Sequence, residues 1–174
     1  WLFGGITNAG EINDLWKYDS ASNQWAWING SSVALTGANY GTMGISAPGN
    51  LPGPRAFSAS WVDAAGNLCL FGGEGYDAAS VPGSLNDIWK YNTTTNEWMW
   101  VRGSNSSGQN GSYGALGVAT ANNEPGSRFF CSKWQDVAGN IWIFGGLGYD
   151  ATNNADNLLN DLWKYTVTTD QWTW

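Results

Sequence analysis

Residues 13–27, NDLWKYDSASNQWAW, decide the fold, because they return as NDIWKYNTTTNEWMW at 86–100 and as NDLWKYTVTTDQWTW at 160–174. A second block precedes this one. Residues 55–73, RAFSASWVDAAGNLCLFGG, overlay 128–146, RFFCSKWQDVAGNIWIFGG, without a gap, and Trp1-Leu2-Phe3-Gly4-Gly5 matches the end of that block. All 13 tryptophans fall inside the two blocks, so the Trp excess is a property of the repeat. The unit is about 73 residues, a period that marks a supersecondary module rather than a single element. Two full copies follow a shortened one.

Each copy reads as four short strands. Phe57, Ala59 and Trp61 alternate with Ser58 and Ser60 over residues 57–63, a period of two. The turn Ala65-Gly66-Asn67 leads into the apolar run 68–71, closed by Gly72-Gly73. Trp89 and Tyr91 share one face of a third strand over 87–91, and Trp98 and Trp100 share one face of a fourth over 97–101. Four antiparallel strands per repeat, with glycine and aromatics at fixed offsets, predict an all-β chain of propeller blades. A solenoid fits less well, since solenoid repeats run about 20–47 residues.

The most specific element is Gly-Gly at the end of an apolar strand, followed by Tyr, six residues and Trp. It occurs as Gly4, Gly5, Tyr18 and Trp25, as Gly72, Gly73, Tyr91 and Trp98, and as Gly145, Gly146, Tyr165 and Trp172. This pattern resembles the kelch-repeat β-propellers, a family that includes the central domain of galactose oxidase. The resemblance implies four-stranded antiparallel blades set radially, with each first strand lining a central channel. On this reading the chain holds a partial blade at 1–27 without its innermost strand, and a long rim loop at 28–54. A full blade at 55–100, a second long loop at 101–127 and a full blade at 128–174 follow. Propellers close with typically four to eight blades. Three therefore predict completion by the remainder of a longer chain or by further copies. The galactose oxidase copper site uses His and Tyr; this chain has no His, so that activity is not implied.

Composition narrows the function. Charged residues are 12 % of the 174, against about 25 % in ordinary soluble chains, while aromatics reach 15 %. Disorder is thereby excluded, since disordered chains lack aromatics and carry dense charge. The net charge of −7, with no basic cluster, argues against nucleic acid. No apolar stretch approaches the roughly 18 residues of a membrane span. Absence of His removes the commonest general base and metal ligand. No nucleophile–base pair, phosphate loop or metal cluster can be assembled, so no catalytic residue is assigned and no cofactor is expected, Ca²⁺ apart. Low Lys with high Trp, Gly and Asn suits an extracellular or cell-surface protein. Asn29, Asn92, Asn105 and Asn110 head sequons and become glycosylation candidates there. Cys69 and Cys131 are not matched between copies, so both are expected free and mostly buried.

Loops after second and fourth strands share one rim, and the long ones lie there: 28–54, 74–86, 101–127 and 147–160. Tyr40, Tyr76, Asp77, Tyr113, Tyr149 and Asp150 are its candidate ligand or partner residues, a protein or a glycan being the ligand class. The other reading of Tyr40 and Tyr113 is that they shield the Trp-rich strands. Trp25/Trp27, Trp98/Trp100 and Trp172/Trp174 are either sugar-stacking platforms or packing. Asp14, Asp87 and Asp161, each after an Asn, are either ligand carboxylates or ties to Arg55 and Arg128. Residues 149–157 break the repeat; Asp150 and Asp156 there are candidate Ca²⁺ ligands, a solvated loop being the alternative. The chain thus reads as a binding or structural module. A filament subunit, a lectin and a secreted enzyme domain are the rival classes.

Overall fold

The computed structural model describes residues 1–35, 37–152 and 157–174. The chain is all-β: among these residues there is no helix, and hence none able to cross a membrane. Three antiparallel sheets follow one another along the chain. The first contains β1 (Leu2–Thr7), β2 (Gly10–Asp19) and β3 (Gln24–Asn29). The second contains β4 (Arg55–Ala56) and β5 (Ala59–Val62) along one edge of β6 (Leu68–Tyr76), then β7 (Pro82–Asn92) and β8 (Glu97–Arg102). The third repeats this with β9 (Arg128–Phe129), β10 (Ser132–Gln135), β11 (Ile141–Gly148), β12 (Asn157–Thr166) and β13 (Gln171–Thr173).

The Gly-Gly pairs do not end their strands, as expected from sequence, but bulge them. Pairing register shifts between Phe3 and Gly5, between Phe71 and Gly73, and between Phe144 and Gly146. Gly4, Gly72 and Gly145 sit at φ +62°, +61° and +63°, a left-handed conformation that a side chain disfavours. Space demands glycine as well. A Cβ on Gly4 would lie 2.5 Å from the Arg55 carbonyl oxygen, and one on Gly72 2.6 Å from that of Arg128. The first two bulges are therefore where one sheet touches the backbone of the next, whereas Gly145 meets only the Leu159 carbonyl of its own sheet. Because the strand runs on past the bulge, the rim loop expected at 74–86 is largely strand, residues 77–81 alone joining β6 to β7, and the one expected at 147–160 is strand at 147–148 and 157–160.

The first strand of each full copy also departs from the expected alternation. Phe57 at φ +60° and Phe130 at φ +55° break it into β4/β5 and β9/β10. Alternation holds only for Ala59–Val62, where Ala59 and Trp61 are buried. The two displaced rings meet across the sheets with centroids 4.1 Å apart.

Two clusters of buried apolar side chains form the core, one between each pair of neighbouring sheets. Phe3 of β1 packs edge-on against Trp98 of β8 at 5.2 Å, and Phe71 of β6 against Trp172 of β13 at 5.3 Å. The long connections, 30–54 and 103–127, each wrap the sheet they are about to enter. Gly44 N–H donates to the Trp100 carbonyl at 2.8 Å, and Gly117 N–H to that of Trp174 at 2.7 Å. Asn50 and Asn123 donate from Nδ2 to the carbonyls of Trp98 and Trp172, both at 3.1 Å. The outer edges of β8 and β13 are covered in this way, which blocks pairing with another chain.

Candidate functional site

Two nearly identical buried polar networks lie beneath the loop-bearing end. Arg55 donates to both carboxylate oxygens of Asp87 at 2.6 and 2.8 Å; Arg128 does the same to Asp161 at 2.6 and 2.9 Å. Arg55 and Arg128 also hold the Gly72 and Gly145 carbonyls, at 3.2 Å each. Asp87 Oδ2 further accepts from the Tyr40 hydroxyl at 2.6 Å and Trp89 Nε1 at 2.7 Å. Tyr113 and Trp163 donate to Asp161 in the same manner, both at 2.7 Å. Burial opposes the charge of Asp161, but these donors hold its carboxyl below the ordinary range. A guanidinium fork matched to a carboxylate, with a phenol and an indole on the same acid, leaves nothing for a ligand. Two of the Asn residues that precede these acids in the repeat are equally occupied, while Asn160 is exposed. Asn13 and Asn86 donate to the Pro52 and Pro125 carbonyls and accept from Ser31 and Ser104 N–H.

Several candidate rim residues sit elsewhere than expected. Tyr40 is buried against Trp89 and Trp100, and burial followed by the Asp87 charge pushes its hydroxyl far up, so it faces no partner. Tyr113 occupies the same place against Trp163 and Trp174. Asp77 is buried too: Ala79 and Val81 N–H bond one oxygen and Ser107 N–H the other, tying two loops together. Tyr76 and Tyr149 are half-buried. Asp150 accepts from the N–H and hydroxyl of Thr152 at 2.6 and 2.7 Å; Asp156 lies outside the described residues. Among the described residues no three His, Cys, Asp or Glu side chains converge. Asn105 and Asn110 are exposed, whereas Asn29 and Asn92 are half-buried and bond their own turns. Both cysteines are free, and burial pushes the Cys69 thiol up to about 12.

A polar cleft also departs from the repeat. Met43, Arg102, Asn110, Glu124 and Asp170 are among the residues that line its cavity of about 430 Å³. Arg102 Nε donates to Glu124 Oε2 at 2.8 Å, and its other nitrogens hold the Asp170, Ala121 and Asn123 carbonyls. Burial pushes the Glu124 carboxyl up to about 7, although Arg102 pulls it the other way. Glu124 Oε1 and Trp172 Nε1 are both buried, and the indole, like Arg102, lowers the carboxyl's pKa against the effect of burial. Repeat overlay would have exposed these residues: Arg102 aligns with Asn29, Glu124 with Leu51, and Asp170 with Asn96.

No protein-family model matches the chain, and no curated protein resembles it in sequence. The fold is similar to that of YjhT. The two superpose with a TM-score of 0.56 at 17 % identity, over 99 % of this chain and 49 % of YjhT. The chain thus spans about half the length of YjhT. At that identity the likeness concerns the fold, and a shared fold does not carry an activity with it.

Proposed function

We propose that the chain is a segment of a kelch-type β-propeller, each sheet one blade, which serves as a binding or structural module outside the cell or on its surface. The observation that carries this reading is the division of labour among polar groups. Those that recur with the repeat are consumed by the fold, as Arg55, Asp87, Tyr40 and their copies show. Those that break the repeat line the open cleft at Arg102, Glu124 and Asp170. A site that binds one ligand belongs where the units differ. The cleft suits a ligand rich in hydrogen-bonding groups, a glycan or a polar peptide surface, because Arg102, Gln109, Asn110 and Asp170 line it.

A glycan array and a panel of secreted-protein peptides test this. The expected result is a retained ligand whose binding weakens at least about tenfold in Glu124→Gln and Asn110→Ala, the protein staying folded. Binding that ignores both substitutions, or chemical conversion of the ligand, would contradict it.

A further inference from the structure

We infer that Asn29 is a site of spontaneous covalent modification: the backbone nitrogen of Gly30 attacks its side-chain amide, and the residue converts through a cyclic imide to aspartate and isoaspartate. The chain holds two Asn-Gly pairs, Asn29-Gly30 and Asn110-Gly111. In sequence they are alike, since each is followed by Ser and glycine has no side chain to hinder its own nitrogen. The structure separates them.

Gly30 N–H donates to Asn29 Oδ1 at 2.7 Å and, among the described residues, to no backbone carbonyl. The nucleophile therefore already lies against the amide it attacks, the condition for a fast intramolecular reaction. Gly111 N–H instead donates to the Asp150 carbonyl at 2.9 Å, and the next amide, Ser112 N–H, to that of Glu124 at 2.8 Å. Attack from Gly111 would first have to break its hydrogen bond. The fold also holds glycine at position 30. Its φ is +83°, and a Cβ there would lie 2.0 Å from the Asn13 carbonyl oxygen. The second sheet makes the same turn at Gly103, φ +85°, but Arg102 precedes it, so that sheet lacks the reactive pair.

In the first step a bond forms between Gly30 N and Asn29 Cγ, the Cγ–Nδ2 bond breaks, and ammonia leaves with the proton lost from Gly30. Asn29 is half-buried at the end of β3, so water can reach the ring and open it. Opening at Cγ gives aspartate. Opening at the backbone carbonyl carbon gives isoaspartate, whose longer main chain disturbs the pairing of position 29 with Leu15. Either product adds a negative charge and abolishes Asn29 as a glycan acceptor.

The test incubates protein made without N-glycans in mildly alkaline buffer, both folded and unfolded in urea. Peptide mapping by mass spectrometry follows the exchange of NH₂ for OH at the two positions, and isoaspartyl methyltransferase labels the isoaspartate. In the folded chain Asn29 is expected to convert at least about tenfold faster than Asn110. In urea the two rates should come within about threefold, because both pairs are then free of structure. Asn29→Gln should remove the fast conversion and leave the Asn110 rate unchanged. Folded protein in which Asn110 converts as fast as Asn29 would overturn the inference. So would the same tenfold preference in urea, which would make it a property of local sequence rather than of the Gly30 contact.

Discussion

Tyr91 and Trp98 in the second sheet occupy the same motif positions as Tyr18 and Trp25 in the first, yet the former pair is 0 % and 1 % exposed and the latter 41 % and 53 %. Both pairs bring their rings within about the same distance, and both sit on paired antiparallel strands. Local structure is therefore the same and burial is not. What differs is the neighbour: Trp1 and Phe3 of β1 lie over Tyr91 and Trp98, and among the described residues nothing lies over Tyr18 and Trp25. The motif specifies strands; the preceding sheet makes its aromatics into core. A second contrast follows the first. Asp87 receives Arg55, Tyr40 and Trp89, whereas Asp14, at the same position, receives Trp16 Nε1 at 2.6 Å.

The largest way to break this comparison is Asp87→Asn against Asp14→Asn. Removing the Asp87 charge strands Arg55, a fully buried guanidinium, and should cost about 3–5 kcal/mol in urea unfolding. The same change at Asp14, half-buried and with no guanidinium beside it, should cost under about 1 kcal/mol. Equal losses would mean that the buried pair does not hold the second sheet.

Glycine substitution sharpens the contrast between covered and uncovered sheets. Alanine at Gly145 meets the left-handed backbone and its own sheet's Leu159 carbonyl, a strain of about 1–3 kcal/mol. Alanine at Gly72 meets the same strain and, in addition, the Arg128 carbonyl of the neighbouring sheet at 2.6 Å. Gly72→Ala should therefore be the worse by about 1 kcal/mol or more. A thermal melt of the two variants reads the difference.

A third contrast is the pH response of Glu124, which belongs to the contact of the second and third sheets and has Leu51 at the same place in the first. Its folded carboxyl titrates near 7, above the ordinary glutamate value of 4.5, so the folded state holds the proton over that interval and the unfolded state does not. Stability from this group is accordingly greatest below pH 4.5 and declines as pH rises through 7. Glu124→Gln should flatten that decline between pH 5 and pH 8, read by chemical denaturation at each pH; an unchanged slope would locate the titration elsewhere.

Much of this was legible in the sequence. Three copies of NDLWKY-type strands, the Gly-Gly pairs and the Arg and Asp at constant offsets announced four-stranded units and a tie between Arg55 and Asp87. Glycine at 72–73 was ambiguous, because a strand end and a bulge both need it and only the neighbouring sheet's carbonyl distinguishes them. Phe57 in a left-handed conformation has no sequence signature; an aromatic residue there is held by contacts from Phe129 and Phe130 of the next sheet. Tyr40 and Tyr113 carry the composition of a binding loop, and burial by Trp89 and Trp163 emerges only once the connections wrap. Arg102 ends β8 and Glu124 lies in the second long connection, and their departure from Asn29 and Leu51 at the same repeat positions was the available signal.

The most direct test of the account is the paired unfolding of Trp98→Ala and Trp25→Ala. Trp98 lies in the core beneath Phe3, and its truncation should cost about 3–5 kcal/mol. Trp25 has the same motif and no covering sheet among the described residues, and its truncation should cost under about 1 kcal/mol. Equal losses at the two positions would contradict the claim that the neighbouring sheet, rather than the motif, makes these aromatics into core.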